Sequence, residues 1–382
     1  MGSSPRLTPR ILGLVALLLT VLAGPVLLSP APIAARQATP GAFSCAPQTT
    51  PVDPASLVAS PATVSQEDAP TGELTEVTMG YVPVSIFAPV FVALEKGYYA
   101  EQGLDVSLEP LPGGSDMVVL TASEEFDAGI GGAGPAFWNA VEQGLPLTVI
   151  APGHMEGNPV ATPLMISKED CESGEISSVA DLDGKKVSVN ARGATEYWLA
   201  EALGTAGLTL DDIDLHVLPF PDAVVALQSG AIDAAMVGEP LATLAEQDDI
   251  AVRLLSDFPV QEIQPTLIYA NESFLNDNPG AAAGLVTAYL KACRDLTGAG
   301  FKDPANLAII EQYTQVPAAL VASAVQPVYA VDGEIDVDGL NKLQQFFRER
   351  GQLEYDEDLD PAGFIDTSYV DAALDELGPY EG

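Results

Sequence analysis

The sequence predicts an α/β protein of two similar lobes with a cleft between them. Three observations carry this reading. From Glu76 onward short β-rich runs alternate with helical stretches, the pattern of βαβ units around parallel sheets. The same order recurs after Asp181, and placing Asp116 on Asp222 aligns 17 positions without a gap, seven of them identical. The chain has 382 residues, 47% of them hydrophobic, which is core enough for two domain-sized units once the ends are discounted.

In the first copy, strands are expected at Val77–Val82, Leu104–Leu108, Phe126–Ile130 and Leu147–Ile150, with helices at Phe87–Ala100, Asp116–Ser123 and Pro135–Gln143. In the second, strands at Lys186–Asn190, Ile213–Leu218 and Ile232–Val237 enclose helices at Thr195–Gly204 and Asp222–Ser229. The identities are Asp116/Asp222, Val118/Val224, Val119/Val225, Ser123/Ser229, Asp127/Asp233, Ala128/Ala234 and Gly132/Gly238. Pro265–Ala270 reads as a strand returning to the first sheet. Helices at Pro279–Thr297, Pro304–Thr314, Pro317–Tyr329, Asp338–Arg350 and Asp366–Leu377 are expected around the first lobe. The resulting division is 76–165 with 265–382 for the first lobe and its helices, and 166–264 for the second, joined by a hinge.

The N-terminus addresses the compartment. Arg6 and Arg10 precede an apolar run from Ile11 to Leu28 and the small-residue stretch Ala31–Ala35, the order of a secretory signal peptide spanning residues 1–35. An uncleaved anchor is the alternative, and lipid modification at Cys45 fits the flanking residues poorly. The protein is therefore expected on the periplasmic or extracytoplasmic side of a membrane. Residues 36–75 include 23 Pro, Ala, Thr or Ser out of 40, too few large apolar groups to offset ordering entropy, and read as a disordered tether.

Charge and cysteine usage exclude other classes. Fifteen Lys and Arg stand against 54 Asp and Glu, a formal charge of −39, which repels phosphate backbones and rules out nucleic-acid partners. Cys45, Cys171 and Cys293 are scattered, and His154 and His216 are the two histidines. No metal site can be written from that inventory. Cys45 and Cys171 could pair in an oxidising compartment, and Cys293 reads as a buried thiol.

Open α/β sheets bind ligands beyond the carboxyl ends of their strands, which selects six loops. In the first lobe they supply Pro83, Ser85 and Phe87, then Gly114 and Ser115, then Gly132, Ala133 and Gly134. In the second they supply Asn190, Arg192, Gly193 and Thr195, then Asp222, then Glu239; His154 lies just past another strand end. Helix N-termini at these loops suit an anionic or strongly polar ligand. Arg192 is assigned the acidic end of that ligand, Glu239 an amine or ring N–H, and Trp138 and Trp198 are expected to sense closure.

Two motif matches are set aside. Gly129-Ile-Gly131-Gly-Ala-Gly134 has dinucleotide spacing, but it follows the third strand of its unit and lacks the downstream acid that would hold a ribose. It reads as a tight cleft loop, and no cofactor is expected. Glu334-Ile-Asp336-Val-Asp338-Gly339 has Glu at position one of a calcium loop and Gln345 at position twelve, so a capped turn is the better reading.

The stretches Gly80–Pro89, Glu95–Val106, Val179–Val187 and Ser229–Pro240 resemble the substrate-binding proteins of ABC importers for nitrate, aliphatic sulfonates and taurine, a family related to proteins of thiamine-pyrimidine metabolism. The resemblance covers about Val77 to Leu290. It implies a type II periplasmic binding protein fold, with two Rossmann-like lobes, a cleft and hinge, and extra C-terminal helices. It further implies a monomer that captures a small solute by lobe closure and delivers it to a membrane permease and its ATPase, without catalysis. A pyrimidine ligand, or an enzyme of thiamine-pyrimidine metabolism, is the alternative.

Overall fold

The computed structural model describes residues 43–57, 73–261 and 263–382. The expected signal peptide, 1–35, and part of the expected tether lie outside them. Among the described residues no helix is long and apolar enough to cross a membrane.

Lobe I opens with β1 (Thr75–Tyr81), α1 (Ala88–Glu95) and α2 (Tyr98–Glu101), followed by β2 (Leu104–Pro110) and α3 (Gly114–Ala122). It continues through β3 (Ala128–Gly132), α4 (Pro135–Glu142), β4 (Leu147–Pro152) and the short β5 (His154–Met155). The single helix expected over Phe87–Ala100 is broken, because Gly97 takes φ 77°, a left-handed geometry that glycine adopts without steric cost.

Lobe II holds β6 (Leu164–Ser167), α5 (Lys168–Ser173), β7 (Lys186–Val189), α6 (Ala194–Gly204), β8 (Asp214–Val217) and α7 (Phe220–Gln228). β9 (Ala234–Met236), α8 (Leu241–Gln247) and β10 (Ala251–Leu255) complete it. Its sheet runs β10-β6-β9-β7-β8, with β7 parallel to both neighbours and β6 antiparallel to β9 and β10. β6 and β10 are strands that the sequence pattern did not separate from their surroundings.

The chain then returns to lobe I as β11 (Thr266–Asn271). The strand order there is β2-β1-β3-β11-β4, with β11 antiparallel to both neighbours and Ala270 opposite Ala128. α9 (Glu272–Asp277), α10 (Pro279–Asp295), α11 (Pro304–Thr314), α12 (Ala318–Ser323), β12 (Val328–Tyr329), α13 (Val337–Glu349) and α14 (Ser368–Leu377) follow. The helix expected over Pro317–Tyr329 stops at Ser323, and β12 pairs with β5 instead.

α10 packs on α1, α2 and α14, and α11 on α1. α13 departs from the expectation that every C-terminal helix covers the first lobe. It lies on α4 and α6, and its Leu340, Leu343 and Phe347 share one core cluster with Trp138 of lobe I and Trp198 of lobe II.

Residues 43–57, expected within a disordered tether, are also corrected. Cys45 is disulfide-bonded to Cys171. Gln48 N and Thr49 Oγ1 donate to the two oxygens of Glu246 at 3.1 and 2.9 Å, and Val52 N donates to Ser323 Oγ at 2.9 Å. The covalent anchor and these buried acceptors hold a segment whose own composition would not order it.

Candidate functional site

The repeat places equivalent strand ends face to face, and a cavity of about 790 Å³, open mouth included, lies between them. Phe87, Gly114, Ser115, Gly132, Gly134 and His154 line it from lobe I, and Asn190, Arg192, Gly193 and Thr195 from lobe II. The lobes touch. A Cβ on Gly134 would sit 3.3 Å from both the Arg192 carbonyl oxygen and the Gly193 Cα, so this is a closed form.

The cavity is supplied by helix N-termini without side-chain caps. α3, α4 and α6 are preceded by Gly113, Gly134 and Gly193, none of which caps through a side chain. Elsewhere Ser167, Asn271, Asp303 and Asp336 each accept a backbone N–H of the following helix, whereas α10, α12 and α14 also start without a side-chain cap. Glycine at the cleft ends thus leaves N–H groups and the positive ends of three helix dipoles free for a ligand.

Arg192 is half-exposed, and its Nη1 donates to Glu196 Oε1 at 3.0 Å. Glu196 is fully buried and also accepts twice from Gln352 Nε2. Glu196 also lies 3.6 Å from Arg350 Nε, so Arg192 lines the cavity with its charge only partly matched. Thr195 Oγ1 donates to Asn190 Oδ1 at 2.6 Å, which fixes the loop and uses the hydroxyl proton.

Five expected residues do not line the cavity. Pro83 and Asp222 are exposed. Ala133 is buried, its N–H donating to Pro265 O. Ser85 is buried and donates from both N and Oγ to the Glu239 carbonyl oxygen, at 3.2 and 2.9 Å.

Glu239 is the main correction. Its side chain is fully buried and accepts from Arg253 Nη2 at 2.6 Å, Thr243 N and Oγ1 at 3.0 and 3.1 Å, and Val325 N at 3.1 Å. Arg253 Nε also holds Glu246 at 2.9 Å. With three donors on Oε1, one on Oε2 and no place in the cavity lining, the Glu239 carboxylate is turned into the core, while its carbonyl oxygen makes the interlobe contact with Ser85.

The carboxylate that does line the cavity is Glu156. Trp198 Nε1 donates to its Oε1 at 3.0 Å, and Ala161 N to its Oε2. Burial raises its pKa, against hydrogen bonds from Thr162, Trp198 and Ala161 that lower it. His154 Nε2 lies 4.0 Å away and its Nδ1 2.8 Å from Thr266 Oγ1. Burial lowers the imidazole to about 3, so it is neutral. Glu156 stands two residues after His154, and no periodic signal marks it; only the strand end at Pro152 pointed to this segment.

Trp198 lines the cavity, whereas Trp138 is buried behind it, its Nε1 donating to Ala133 O at 3.0 Å. Phe220 and Ile86 add apolar wall. The glycine-rich stretch expected as a loop is strand β3 as far as Gly132, and it packs tightly: a Cβ on Gly129 would meet Met117 Cγ at 2.6 Å, and one on Gly131 would meet Tyr269 Oη at 2.8 Å.

Two α/β lobes closed over a cavity ringed by helix N-termini define a type II periplasmic binding protein fold. The chain belongs to the NMT1/THI5-like family, whose model matches residues 85–299. It is 28% identical over 249 residues to the bicarbonate transport ATP-binding protein CmpC of Synechococcus elongatus, which covers 61% of this chain and 36% of that protein. It is 24% identical over 249 residues to the nitrate/nitrite binding protein NrtA of Nostoc sp., covering 60% of this chain and 56% of that one. The chain thus spans between about a third and somewhat over half of these relatives. Among solved structures, the alkanesulfonate-binding protein SsuA of Xanthomonas axonopodis pv. citri bound to MOPS superposes with a TM-score of 0.64 at 15% identity, over 78% of this chain and all of that one. The desulfurization enzyme DSZB has the same fold, with a TM-score of 0.56 at 16% identity over 79% of this chain and 99% of its own.

Proposed function

We propose that the chain is the extracytoplasmic solute-binding protein of an ABC importer, exported by its N-terminal signal and capturing a small anionic or amphoteric solute by lobe closure. The observation that carries the solute's charge is the set of three glycine-preceded, uncapped helix ends at one cavity. Backbone donors at helix N-termini recognise sulfonate, nitrate or carboxylate oxygens without a fixed cation. NrtA, a nitrate/nitrite binding protein, and SsuA, an alkanesulfonate-binding protein, agree with that chemistry. A permease and an ATPase are the implied partners.

Capture is favoured over turnover. The free cysteine, Cys293, is fully buried in α10 and its thiol pKa is raised by burial, away from the cavity. A second reading, a neutral pyrimidine-like solute, is favoured by one observation: the buried acceptor Glu156 beside the aromatic walls Phe87, Trp198 and Phe220.

A thermal-shift and calorimetry panel of ethanesulfonate, taurine, nitrate, bicarbonate and hydroxymethylpyrimidine separates the readings. A bound solute at 100 times its Kd stabilises the native state by about 2.7 kcal/mol. Stabilisation by the anions is expected. A response confined to the pyrimidine would overturn the anion assignment.

A further inference from the structure

We propose that the outward faces of α3 and α7 form one docking surface, repeated on the two lobes, for the extracytoplasmic side of a membrane permease carrying two apolar sockets rimmed by Lys or Arg. The proposal rests on the importer reading above.

It comes from sorting the seven identities of the internal repeat by what the fold needs. Asp127 Oδ2 accepts the Thr78 N–H and Asp233 Oδ2 the Lys186 N–H, equivalent bonds to neighbouring strands at 2.8 and 2.7 Å. Ser123 and Ser229 bond back to Leu120 O and Ala226 O. Ala128 and Ala234 are buried, Val118 is core and Val224 packs at the edge of a core cluster. Gly238 leaves room for the Phe220 ring, which a Cβ would approach to 3.0 Å, and Gly132 lines the cavity. Each of these is explained by folding or by the cleft.

Asp116/Asp222 and Val119/Val225 remain. Val119 is 63% exposed and Val225 62%, the two most exposed large hydrophobic side chains among the described residues. Each follows an exposed first-turn acid by three positions, so acid and valine share one helix face. A helix dipole accounts for an acid in the first turn; it does not account for a valine in water. A lone exposed valine needs no explanation, but the same valine at both copies of a repeat, equally exposed, calls for one.

Position identifies the partner. α3 starts at Gly114 and Ser115 and α7 at Phe220, all of which line the cavity. The two faces therefore flank one cleft mouth, one per lobe, and closure fixes their spacing. A partner engaging both faces reads the closed state. It must present two sites, each apolar at the centre for valine and basic at the rim for aspartate, which also complements a chain of formal charge −39. Asp222, expected as a ligand contact, takes this role instead.

The test measures association of the full exported chain with the host's permease–ATPase complex in nanodiscs, and stimulation of ATP hydrolysis by that complex. Val119→Asp and Val225→Asp should each weaken association about tenfold or more, the scale of a central interface contact. Val217→Asp and Val337→Asp, exposed valines outside the repeat positions, should not. Asp116→Lys and Asp222→Lys should weaken association and reduce its salt dependence. All variants should keep wild-type thermal unfolding. Wild-type association by Val119→Asp and Val225→Asp would overturn the docking surface and leave the importer reading standing. Failure of the wild-type protein to bind or stimulate the complex would overturn that reading, and the docking surface with it.

Discussion

Gly134 of lobe I lies against the backbone of Gly193 of lobe II, so that a Cβ on Gly134 would meet the Gly193 Cα and the Arg192 carbonyl oxygen at 3.3 Å. Gly134 has φ −89° and ψ −178°, a geometry open to any residue, so its side chain is excluded by closure and not by the conformation of its own lobe. Gly134→Val should leave the thermal stability of the unliganded protein within about 0.5 kcal/mol of wild type and weaken solute binding at least tenfold. Unchanged affinity, measured by calorimetry, would show that solute binds without this contact.

The two tryptophans are expected to separate. Trp198 donates to Glu156 at the cavity wall, and Trp138 donates to Ala133 O while packed edge-on against Phe137 and Phe364. Ligand-induced emission change should therefore survive Trp138→Phe and vanish in Trp198→Phe. The reverse result would displace the cavity from where its lining residues put it.

Much of this architecture is legible in the sequence, and the part that is not has definite physical causes. Repeats and alternation reveal β1–β3 and β7–β9 because each is a regular βαβ unit bounded by turn residues. β6 and β10 escaped because they pair antiparallel to their neighbours and lie outside the repeated βαβ unit. At the site, strand-end position selects loops of which several line the cavity, but it places Glu239 there as well, because its partner, Arg253, is 14 residues away and on a strand that the pattern does not reveal. The ordered segment 43–57 was hidden for a similar reason: its acceptors, Glu246 and Ser323, are about 200 and 270 residues distant.

Arg253 is nearly fully buried between Glu239 and Glu246. Removing it takes the cation from two buried carboxylates and leaves them only neutral donors, a loss of roughly 3 to 5 kcal/mol for a broken buried pair. Arg253→Ala should lower the denaturation midpoint accordingly, whereas Glu239→Gln, which keeps a carbonyl acceptor, should cost less. If Glu239→Gln instead abolishes binding of amine-bearing solutes while unfolding stays at wild type, the carboxylate contacts solute after all.

His154 gives a pH dependence whose sign is fixed. Its folded value, about 3, lies below the ordinary 6.5, so between those values the unfolded chain binds the extra proton. Stability is full above about pH 6.5 and falls as pH drops, at roughly 1.4 kcal/mol per unit once well below the unfolded value. Glu156, raised by burial, acts oppositely, losing its contribution as pH rises through its folded value. His154→Asn should flatten the decline between pH 6.5 and 5, a window above ordinary carboxylate titration. Denaturant midpoints at several pH values read this directly, and an unchanged slope would mean that the imidazole is protonated in the native state.

The Cys45–Cys171 bond closes a loop with a sequence separation of 126. In the chain-entropy account such a loop is worth roughly 5 kcal/mol, native strain aside. The bond also holds Gln48 and Thr49 over Glu246, the outer acid of the triad that includes Glu239. Glu239 in turn accepts from Ser85 of the opposite lobe. Two effects are therefore expected from Cys45→Ser with Cys171→Ser. The unfolding midpoint should fall, and the triad should lose the donors that compensate its second carboxylate. Thr49→Ala keeps the covalent link and removes the side-chain donor to Glu246, which should be a smaller loss, about 1.5 to 3 kcal/mol for a hydrogen bond to a buried charged group. A double-mutant cycle joining Thr49→Ala to Glu246→Gln then tests the contact itself. Strict additivity would mean that the Thr49–Glu246 contact contributes nothing, because a real bond between the two side chains can be lost only once.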